Sequence, residues 1–187
     1  TKYNQEQMVL VACNSLGVDA TSLRFQNVYG PGQSLSNPYT GILSIFSTRI
    51  LNNNPVNVFE DGLESRDFVY IDDVIDATLL AMFEKSAKST SYNIGSGQST
   101  SVGLVANTLK SAYKSDIDII VSGNFRVGDI RHNKADISKA QKDLGFKPKV
   151  MFEQGIELFS NWVKQQEIQE DNYDQSVIEL KQKGLMK

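Results

Sequence analysis

The 187-residue sequence contains one cysteine, Cys13, one histidine, His132, and only four prolines. A single cysteine excludes an internal disulfide and favours a reducing compartment. No apolar run approaches the roughly 18 residues that a membrane-spanning helix needs, and no secretory leader pattern is visible. We therefore expect a cytoplasmic protein without a membrane partner.

An excess of one charge is also missing, because 19 Lys and Arg stand against 22 Asp and Glu, a net charge of −3. Such a balance argues against a protein held to nucleic acid by its overall charge. Hydrophobic residues make up 40% of the chain, which together with 13 glycines is ordinary for a globular protein. Disorder of the whole chain is thereby excluded.

Several motifs are absent. Neither Gly-x-Gly-x-x-Gly nor Gly-x-x-Gly-x-x-Gly occurs, so the sequence has no glycine-rich turn for the phosphates of a dinucleotide. Gly95-Ser96-Gly97 comes closest, but it lacks the third glycine. There is no Walker loop and no zinc-ligand spacing, so we predict no metal site, and we expect His132 to be a surface imidazole.

Helical and strand patterns alternate along the chain, which predicts an α/β fold. Helices are predicted over residues 2–16, 42–50, 72–83, 101–113, 138–144 and 152–166. Strands are predicted over residues 21–28, 56–59, 66–71, 92–94 and 117–121. In the third helix we expect a cap at Asp72 or Asp73 and a buried stripe, made of Val74, Ile75, Thr78, Leu79, Met82 and Phe83. Core positions are also expected for Tyr70, Phe159 and Trp162.

Both ends of the chain are unusual. Helix-favouring residues begin at Thr1 without an initiator methionine, which suggests a chain cut from a longer protein; a processed natural N-terminus is the alternative. From Glu167 onward Gln, Glu, Asp and Lys dominate, which predicts a loose helix on the surface.

Four segments resemble, in order and at family spacing, the C-terminal half of extended short-chain dehydrogenase/reductases of the NAD-dependent nucleotide-sugar epimerase/dehydratase family. They are Thr1-Lys2 with Glu6, similar to the end of a Tyr-x-x-x-Lys signature; Arg24 to Gly32; Val56 to Val74; and Arg126 to Asp129 with Ala135 to Pro148. The resemblance covers about residues 1–165. Residues 33–46 resemble most the thymidine-diphosphate-rhamnose 4-epimerase kind within this family.

The resemblance implies an α/β fold that is the C-terminal part of an NAD(P)-binding Rossmann-like enzyme, mainly its substrate-binding domain. Residues 1–30 would be the last helix and strand of the Rossmann-like half, 31–166 the nucleotide-sugar-binding domain, and 167–187 a polar tail. The family tyrosine would lie four residues before Lys2, outside this sequence, and the glycine loop is absent as well. We therefore interpret the chain as a C-terminal fragment that lacks the N-terminal Rossmann half and is inactive alone.

The implied activity is that of an NAD-dependent nucleotide-sugar 4-epimerase, with oxidation at C4, rotation of the 4-keto sugar and return of the hydride. The family also implies a homodimer, often formed through the helix that carries Lys2. Two alternatives stay open: a nucleotide-sugar 4,6-dehydratase or decarboxylase of the same family, and a non-catalytic relative that only binds a nucleotide sugar.

The resemblance also implies residue roles. Lys2 would lower the pKa of the tyrosine base and bind the nicotinamide ribose, and Phe25 would pack beside the nicotinamide. Arg66 and Arg126 would grip the diphosphate, for which planar, multiply donating cations are suited. The alternatives are a solvated helix lysine for Lys2, an ion pair between Arg66 and Asp67, and a solvated loop residue for Arg126.

Five further residues complete the implied site. Asp129 would accept hydrogen bonds from the ribose, and Asn27 would offer its amide to the diphosphate. Asn57 and Phe59 would meet the base through backbone groups, and Asn133 would line the sugar pocket. Without the resemblance, each would be an ordinary loop or strand residue, with Asn27 in an Asx turn.

Overall fold

The computed structural model describes residues 1–37, 41–84 and 89–187. The helices are α1 (Lys2–Ser15), α2 (Ile42–Leu51), α3 (Ile71–Phe83), α4 (Val102–Tyr113), α5 (Ser138–Leu144), α6 (Phe152–Val163) and α7 (Tyr173–Gln182). The strands are β1 (Thr21–Phe25), β2 (Asn27–Tyr29), β3 (Val56–Val58), β4 (Ser65–Arg66), β5 (Phe68–Tyr70), β6 (Thr90–Ile94), β7 (Thr100–Ser101) and β8 (Ile119–Val121). The alternation confirms the α/β class. Part of the segment 33–46, residues 38–40, lies outside the described residues.

Most of the strand pairing is parallel. β1 pairs with β6, β2 with β5 and β3 with β8, whereas β4 and β7 are antiparallel. Since β6 follows residue 31, the first 30 residues share a sheet with a strand from the segment expected to form the nucleotide-sugar-binding domain. The division into 1–30, 31–166 and 167–187 stays a prediction.

Two hydrophobic clusters lie on different sides of these strands. The larger one joins β2, β3 and β5 to α2, α4 and α6, with Val56, Leu109 and Phe159 fully buried. The other packs β6 against α3 and α5 through residues such as Tyr92 and Phe146. Helix α6 approaches β2 so closely that a Cβ at Gly155 would lie 2.0 Å from the Tyr29 hydroxyl. A glycine is therefore required at this contact.

Two strands that the sequence predicts as continuous are each interrupted by one residue, at Gln26 and Asp67. Asp67 is fully buried and its carboxylate accepts hydrogen bonds from the Ser96 amide at 2.7 Å and the Ser96 hydroxyl at 2.6 Å. It also accepts from the Gly97 amide at 3.0 Å and the Ala135 amide at 3.1 Å. The carboxylate thus joins the β4–β5 strand to the loop after β6 and to the segment before α5.

Helix α3 differs from the expectation. Tyr70 occupies the N-cap position, and Asp73 instead accepts hydrogen bonds from the Lys149 and Val150 amides at 2.8 and 3.1 Å. The helix is buried through Asp73, Val74 and Ala77, a narrow face of short side chains that allows close packing on the strands. The buried stripe predicted from the sequence is therefore wrong for four of its residues, because Ile75, Leu79, Met82 and Phe83 are exposed. Tyr70 and Phe159 are buried as expected, and Trp162 is half-buried.

The helix expected after residue 167 is present, but the expectation that it lies loosely on the surface is wrong. The segment forms α7, but Tyr173, Ser176 and Met186 are only 6%, 2% and 4% exposed. Its polar composition is explained by partners in the fold, since Asp171 and Asp174 pair with Arg49 of α2. Across the three described stretches of chain, no helix has the length and apolar character to cross a bilayer.

We predict that Asp67→Asn lowers the unfolding free energy by about 2–4 kcal/mol, because net hydrogen bonds to charged groups are worth roughly 1.5–3 kcal/mol each. The side-chain amide of asparagine would direct an NH2 group toward partners that are all hydrogen-bond donors and cannot accept a hydrogen bond from it. Denaturant unfolding measures the change, with the exposed Asp116→Asn as the matched control. An unfolding free energy within about 0.5 kcal/mol of the unsubstituted protein would contradict the role of Asp67.

Candidate functional site

A cavity of about 330 Å³ lies between β2, α2, the end of β3, β4 and the start of α7. Its volume falls at the lower end of the range of roughly 300–1,000 Å³ that is typical of small-molecule sites. The cavity brings together residues that are far apart in the sequence. Six of the residues singled out from the sequence line it: Asn27, Asn57, Phe59, Arg66, Arg126 and Asp129.

Arg66 is held in a fixed orientation at this cavity. One terminal nitrogen of its guanidinium, Nη1, donates to the Ser65 and Arg131 carbonyls at 2.9 and 3.1 Å. The other, Nη2, pairs with the Asp129 carboxylate at 2.9 Å, and the side chain is 16% exposed. The alternative pairing with Asp67 is therefore wrong, since the Asp67 carboxylate is occupied by backbone amides and a serine hydroxyl.

Arg126 reaches the same cavity from the loop after β8. Its guanidinium carbon lies 5.6 Å from the centre of the Phe59 ring, within the range of a cation–π contact. The contact argues against the alternative interpretation, in which Arg126 would be a solvated loop residue. Two guanidinium groups, one at the end of strand β4 and one on a loop, thus line a single cavity of ligand size.

The two asparagines occupy the walls at strand positions. Asn27 is the first residue of β2, and its backbone amide donates to the Asp67 carbonyl at 3.0 Å. Asn57 is the central residue of β3, and Tyr173 of α7 lines the same cavity. Burial raises the pKa of the Tyr173 hydroxyl, whereas the nearby Arg49 and Arg126 charges oppose this shift.

Three of the sequence-derived residues do not line the cavity. The Asn133 side chain donates to the Gln26 side chain at 3.0 Å. Lys2 is an exposed residue in the first turn of α1, and Phe25 ends β1 with 49% of its surface exposed. The roles of Lys2 and Phe25 at a cofactor, and of Asn133 at a sugar, stay predictions.

Sequence reasoning missed Gln33, Glu64 and Tyr173, which also line the cavity. Tyr173 lies in the segment that its composition assigns to the surface, so no local pattern indicated it. Glu64 stands inside the motif that carries the family resemblance, two residues before Arg66. No local pattern indicated its burial, because charged residues are rarely buried and other charged residues flank it in the sequence.

Glu64 is the buried member of an acidic group. It is 6% exposed, and its Oε2 atom has no hydrogen-bond partner among the described residues. Burial raises the pKa of Glu64, the negative charges of Glu60 and Asp61 raise it further, and Arg66 opposes them. Carboxylate oxygens of Glu60, Asp61 and Glu64 lie within 4.8 Å of one another, a spacing that could hold a cation, but Arg131 already pairs with Glu60 and Asp61.

Comparisons with known proteins show the family of the chain. Residues 1–95 match the profile of the NAD dependent epimerase/dehydratase family. The chain is 39% identical over 166 residues to the dTDP-L-rhamnose 4-epimerase of Burkholderia thailandensis, covering 89% of this chain and 46% of that protein. It is 30% identical over 154 residues to the UDP-N-acetyl-alpha-D-glucosaminuronate decarboxylase of Bacillus cytotoxicus, covering 80% of this chain and 47% of that one.

A solved structure is similar over the same part. The UDP-glucose 4-epimerase of Thermotoga maritima, solved with UDP-glucose, superimposes with a TM-score of 0.79 at 36% identity, covering 87% of this chain and 52% of that chain. The chain therefore spans about half the length of the curated relatives it matches.

The buried Glu64 leads to a prediction about pH. Because the pKa of Glu64 is raised in the fold above its ordinary value of 4.5, the folded state holds the proton more tightly than the unfolded state. The stability linked to this proton is present below that ordinary value and is lost as the pH rises through the folded pKa. We expect Glu64→Gln to remove this loss, so that the variant gains stability relative to the unsubstituted protein as the pH rises.

Urea unfolding at a series of pH values from the ordinary glutamate pKa to neutrality measures the effect. The exposed Glu157→Gln is the control and should keep the pH slope of the unsubstituted protein. If Glu64→Gln has that slope as well, Glu64 titrates normally and its burial carries no energetic cost.

Proposed function

Because the chain belongs to the NAD dependent epimerase/dehydratase family, we propose that it is the substrate-binding part of an NAD-dependent nucleotide-sugar 4-epimerase. The observation that carries this proposal is the pair of arginines, Arg66 and Arg126, in one cavity of ligand size. A nucleotide sugar is recognised by its diphosphate, and a guanidinium binds such an oxyanion with two parallel hydrogen bonds.

The arginines are prepared for this task in different ways. Arg66 is oriented by two carbonyls and by Asp129, so little side-chain freedom is lost when an anion binds. Arg126 rests on the Phe59 ring, where its charge stays accessible to the cavity. When the diphosphate replaces Asp129 as a hydrogen-bond acceptor of Arg66, the Asp129 carboxylate becomes free to accept hydrogen bonds from ribose hydroxyls.

The nucleoside would lie on the side of the cavity formed by β3 and α7. Asn57 lies within β3 and Phe59 just beyond its carboxyl end, the edge at which parallel sheets bind ligands. Tyr173 also lines the cavity on this side. Asn27 faces the cavity from β2 and would offer its amide to the diphosphate. The sugar would then extend away from β3, toward the cofactor.

Epimerisation at C4 needs oxidation and re-reduction at the same carbon. NAD, when bound, accepts a hydride from C4 and supplies it again to the opposite face. Within this chain, the exposed Phe25 at the carboxyl end of β1 and the exposed Lys2 fit a nicotinamide and its ribose, whereas a glycine turn for the pyrophosphate is not in the sequence. We assign the tyrosine base and that turn to the other half of the enzyme.

The residues of this chain then contribute three things. The arginines hold the diphosphate while the 4-keto sugar rotates, so the sugar can present its other face without leaving the site. Lys2 adds a positive charge that lowers the pKa of the tyrosine base. The cavity walls exclude water from the reacting sugar.

We also propose that the enzyme is a cytoplasmic homodimer that pairs through α1. No residue of α1 is buried in this chain, and Met8 and Val11 are 71% and 64% exposed. Exposed apolar side chains such as these are available to a second copy of the protein.

The similarity to a decarboxylase supports a second candidate, because 4,6-dehydratases and decarboxylases begin with the same oxidation at C4. Full-length protein incubated with UDP-glucose, dTDP-L-rhamnose and UDP-glucuronic acid separates the candidates. An epimerase changes the configuration at C4 without loss of mass, whereas a decarboxylase releases CO2 and a dehydratase releases water. A protein that binds these nucleotides but converts none of them would be a non-catalytic relative.

We predict that Arg66→Ala and Arg126→Ala each weaken UDP and dTDP binding to the full-length protein by about 2–5 kcal/mol, because a buried charge contact to the phosphates is lost. NAD affinity should change little. Isothermal titration calorimetry measures both, and Arg24→Ala, which removes an arginine paired with Glu6 outside the cavity, is the control. Undiminished affinity in both cavity variants would refute the diphosphate assignment.

A further prediction concerns the 187 residues alone. They carry the proposed diphosphate contacts but no glycine turn for a dinucleotide, so we expect measurable UDP binding, very weak NAD binding and no epimerase activity. Calorimetry and a sugar-conversion assay on the purified chain test this. Tight NAD binding or turnover would contradict the proposed division of labour.

A further inference from the structure

The loop that carries Arg126 is bonded to the last described residues of the chain. The Phe125 amide donates to the Lys187 carbonyl at 2.8 Å, and the Lys187 amide donates back to the Phe125 carbonyl at 3.0 Å. The Val127 amide donates to the Leu185 carbonyl at 2.9 Å. Arg126 itself is opposite Met186 in this short antiparallel pairing, and Met186 is 4% exposed.

This pairing restrains a backbone that is otherwise easily deformed. Arg126 lies between Gly123 and Gly128, which have positive φ angles of 71° and 81°. Glycine reaches many backbone conformations, so a loop flanked by two of them has a large choice of directions for the arginine between. The three bonds to residues 185–187 select one of these directions, the one in which the guanidinium lies over Phe59 and in the cavity.

The other end of the same segment is anchored by Arg49. Arg49 is 3% exposed, and its guanidinium pairs with Asp171 at 3.2 Å and Asp174 at 3.1 Å and lies 4.6 Å from the centre of the Tyr173 ring. Asp171 also accepts a hydrogen bond from the Asn54 side chain at 2.6 Å. Tyr173 is thereby fixed where it lines the cavity, so both ends of the segment meet the site.

We propose that residues 171–187 position Arg126 for the diphosphate, with Arg49 as the anchor and the backbone pairing at 185–187 as the contact that transmits the restraint. This inference rests on the proposed function, because it requires that Arg126 binds the diphosphate. The segment itself touches no phosphate in this proposal. Its members are positioning residues that act through Arg126.

A matched pair of substitutions at Lys187 tests the pairing. Lys187→Pro removes the amide that donates to Phe125, while it favours the extended conformation of the preceding residue that the pairing uses. Lys187→Ala removes the same exposed charged side chain and keeps the amide. In the full-length protein we expect UDP and dTDP affinity to fall roughly 3- to 10-fold in Lys187→Pro, the range of one lost hydrogen bond, and to stay unchanged in Lys187→Ala.

A double-mutant cycle separates positioning from general destabilisation. In an Arg126→Ala background, Lys187→Pro should cause no further loss of UDP affinity, because its effect passes through Arg126. In an Arg66→Ala background, the full loss should remain. An equal loss in both backgrounds would overturn the inference, since a merely structural role does not distinguish the two arginines.

The anchor offers a second test that does not depend on proline. Asp171→Ala should weaken UDP binding, and by more in the Arg66→Ala background than in the Arg126→Ala background, because only the part that passes through Tyr173 remains without Arg126. Asp174→Ala, which removes a carboxylate that is 75% exposed on the same arginine, should have little effect. If Arg126→Ala alone leaves UDP affinity unchanged, the proposed function fails at this residue. If Arg126→Ala weakens binding but neither Lys187→Pro nor Asp171→Ala does, the positioning inference alone fails.

Discussion

The carboxylate of Asp67 joins three parts of the chain that meet only in the folded protein. It lies between β4 and β5, and its partners are Ser96 and Gly97 beyond β6 and Ala135 before α5. Its neighbours Arg66 and Phe68 both line the cavity, because successive side chains of an extended chain point to opposite sides. The buried bonds on one side therefore determine which way Arg66 faces on the other. Gly95 makes room for this arrangement, since a Cβ there would lie 2.5 Å from the carboxylate.

The charges around the cavity are organised in pairs rather than as a uniform basic surface. Arg66 pairs with Asp129, Arg131 with Glu60 and Asp61, and Arg49 with Asp171 and Asp174. An entering diphosphate must compete with Asp129 for Arg66, which limits affinity and favours ligands that also offer hydroxyl donors to the released carboxylate. The raised pKa of Glu64 has a related cause, because burial and the neighbouring Glu60 and Asp61 charges disfavour a further negative charge beside the cavity.

The α/β class and most helices could be predicted from the sequence, because helical periodicity and turn residues are local signals. The family resemblance is confirmed by the profile match, and six of its implied site residues line one cavity. The burial of α3 could not be predicted, because Met82 and Phe83 belong to an apolar stripe that is not the face packed against the strands. Tyr173 could not be predicted either, since its burial depends on Arg49, more than one hundred residues earlier in the sequence.

The parallel strand pairs have a consequence for how the protein forms. Thr21 is bonded in register with Thr90, Asn27 with Phe68, and Val56 with Ile119, so each pair closes a long loop of chain. Contacts between distant residues slow folding, because the entropy of closing the loop is lost before the contacts compensate for it. During synthesis, β1 cannot make its pairing with β6 until β6 has left the ribosome. The edge of β1 that faces β6 is open during that interval, and an open strand edge is prone to non-native pairing.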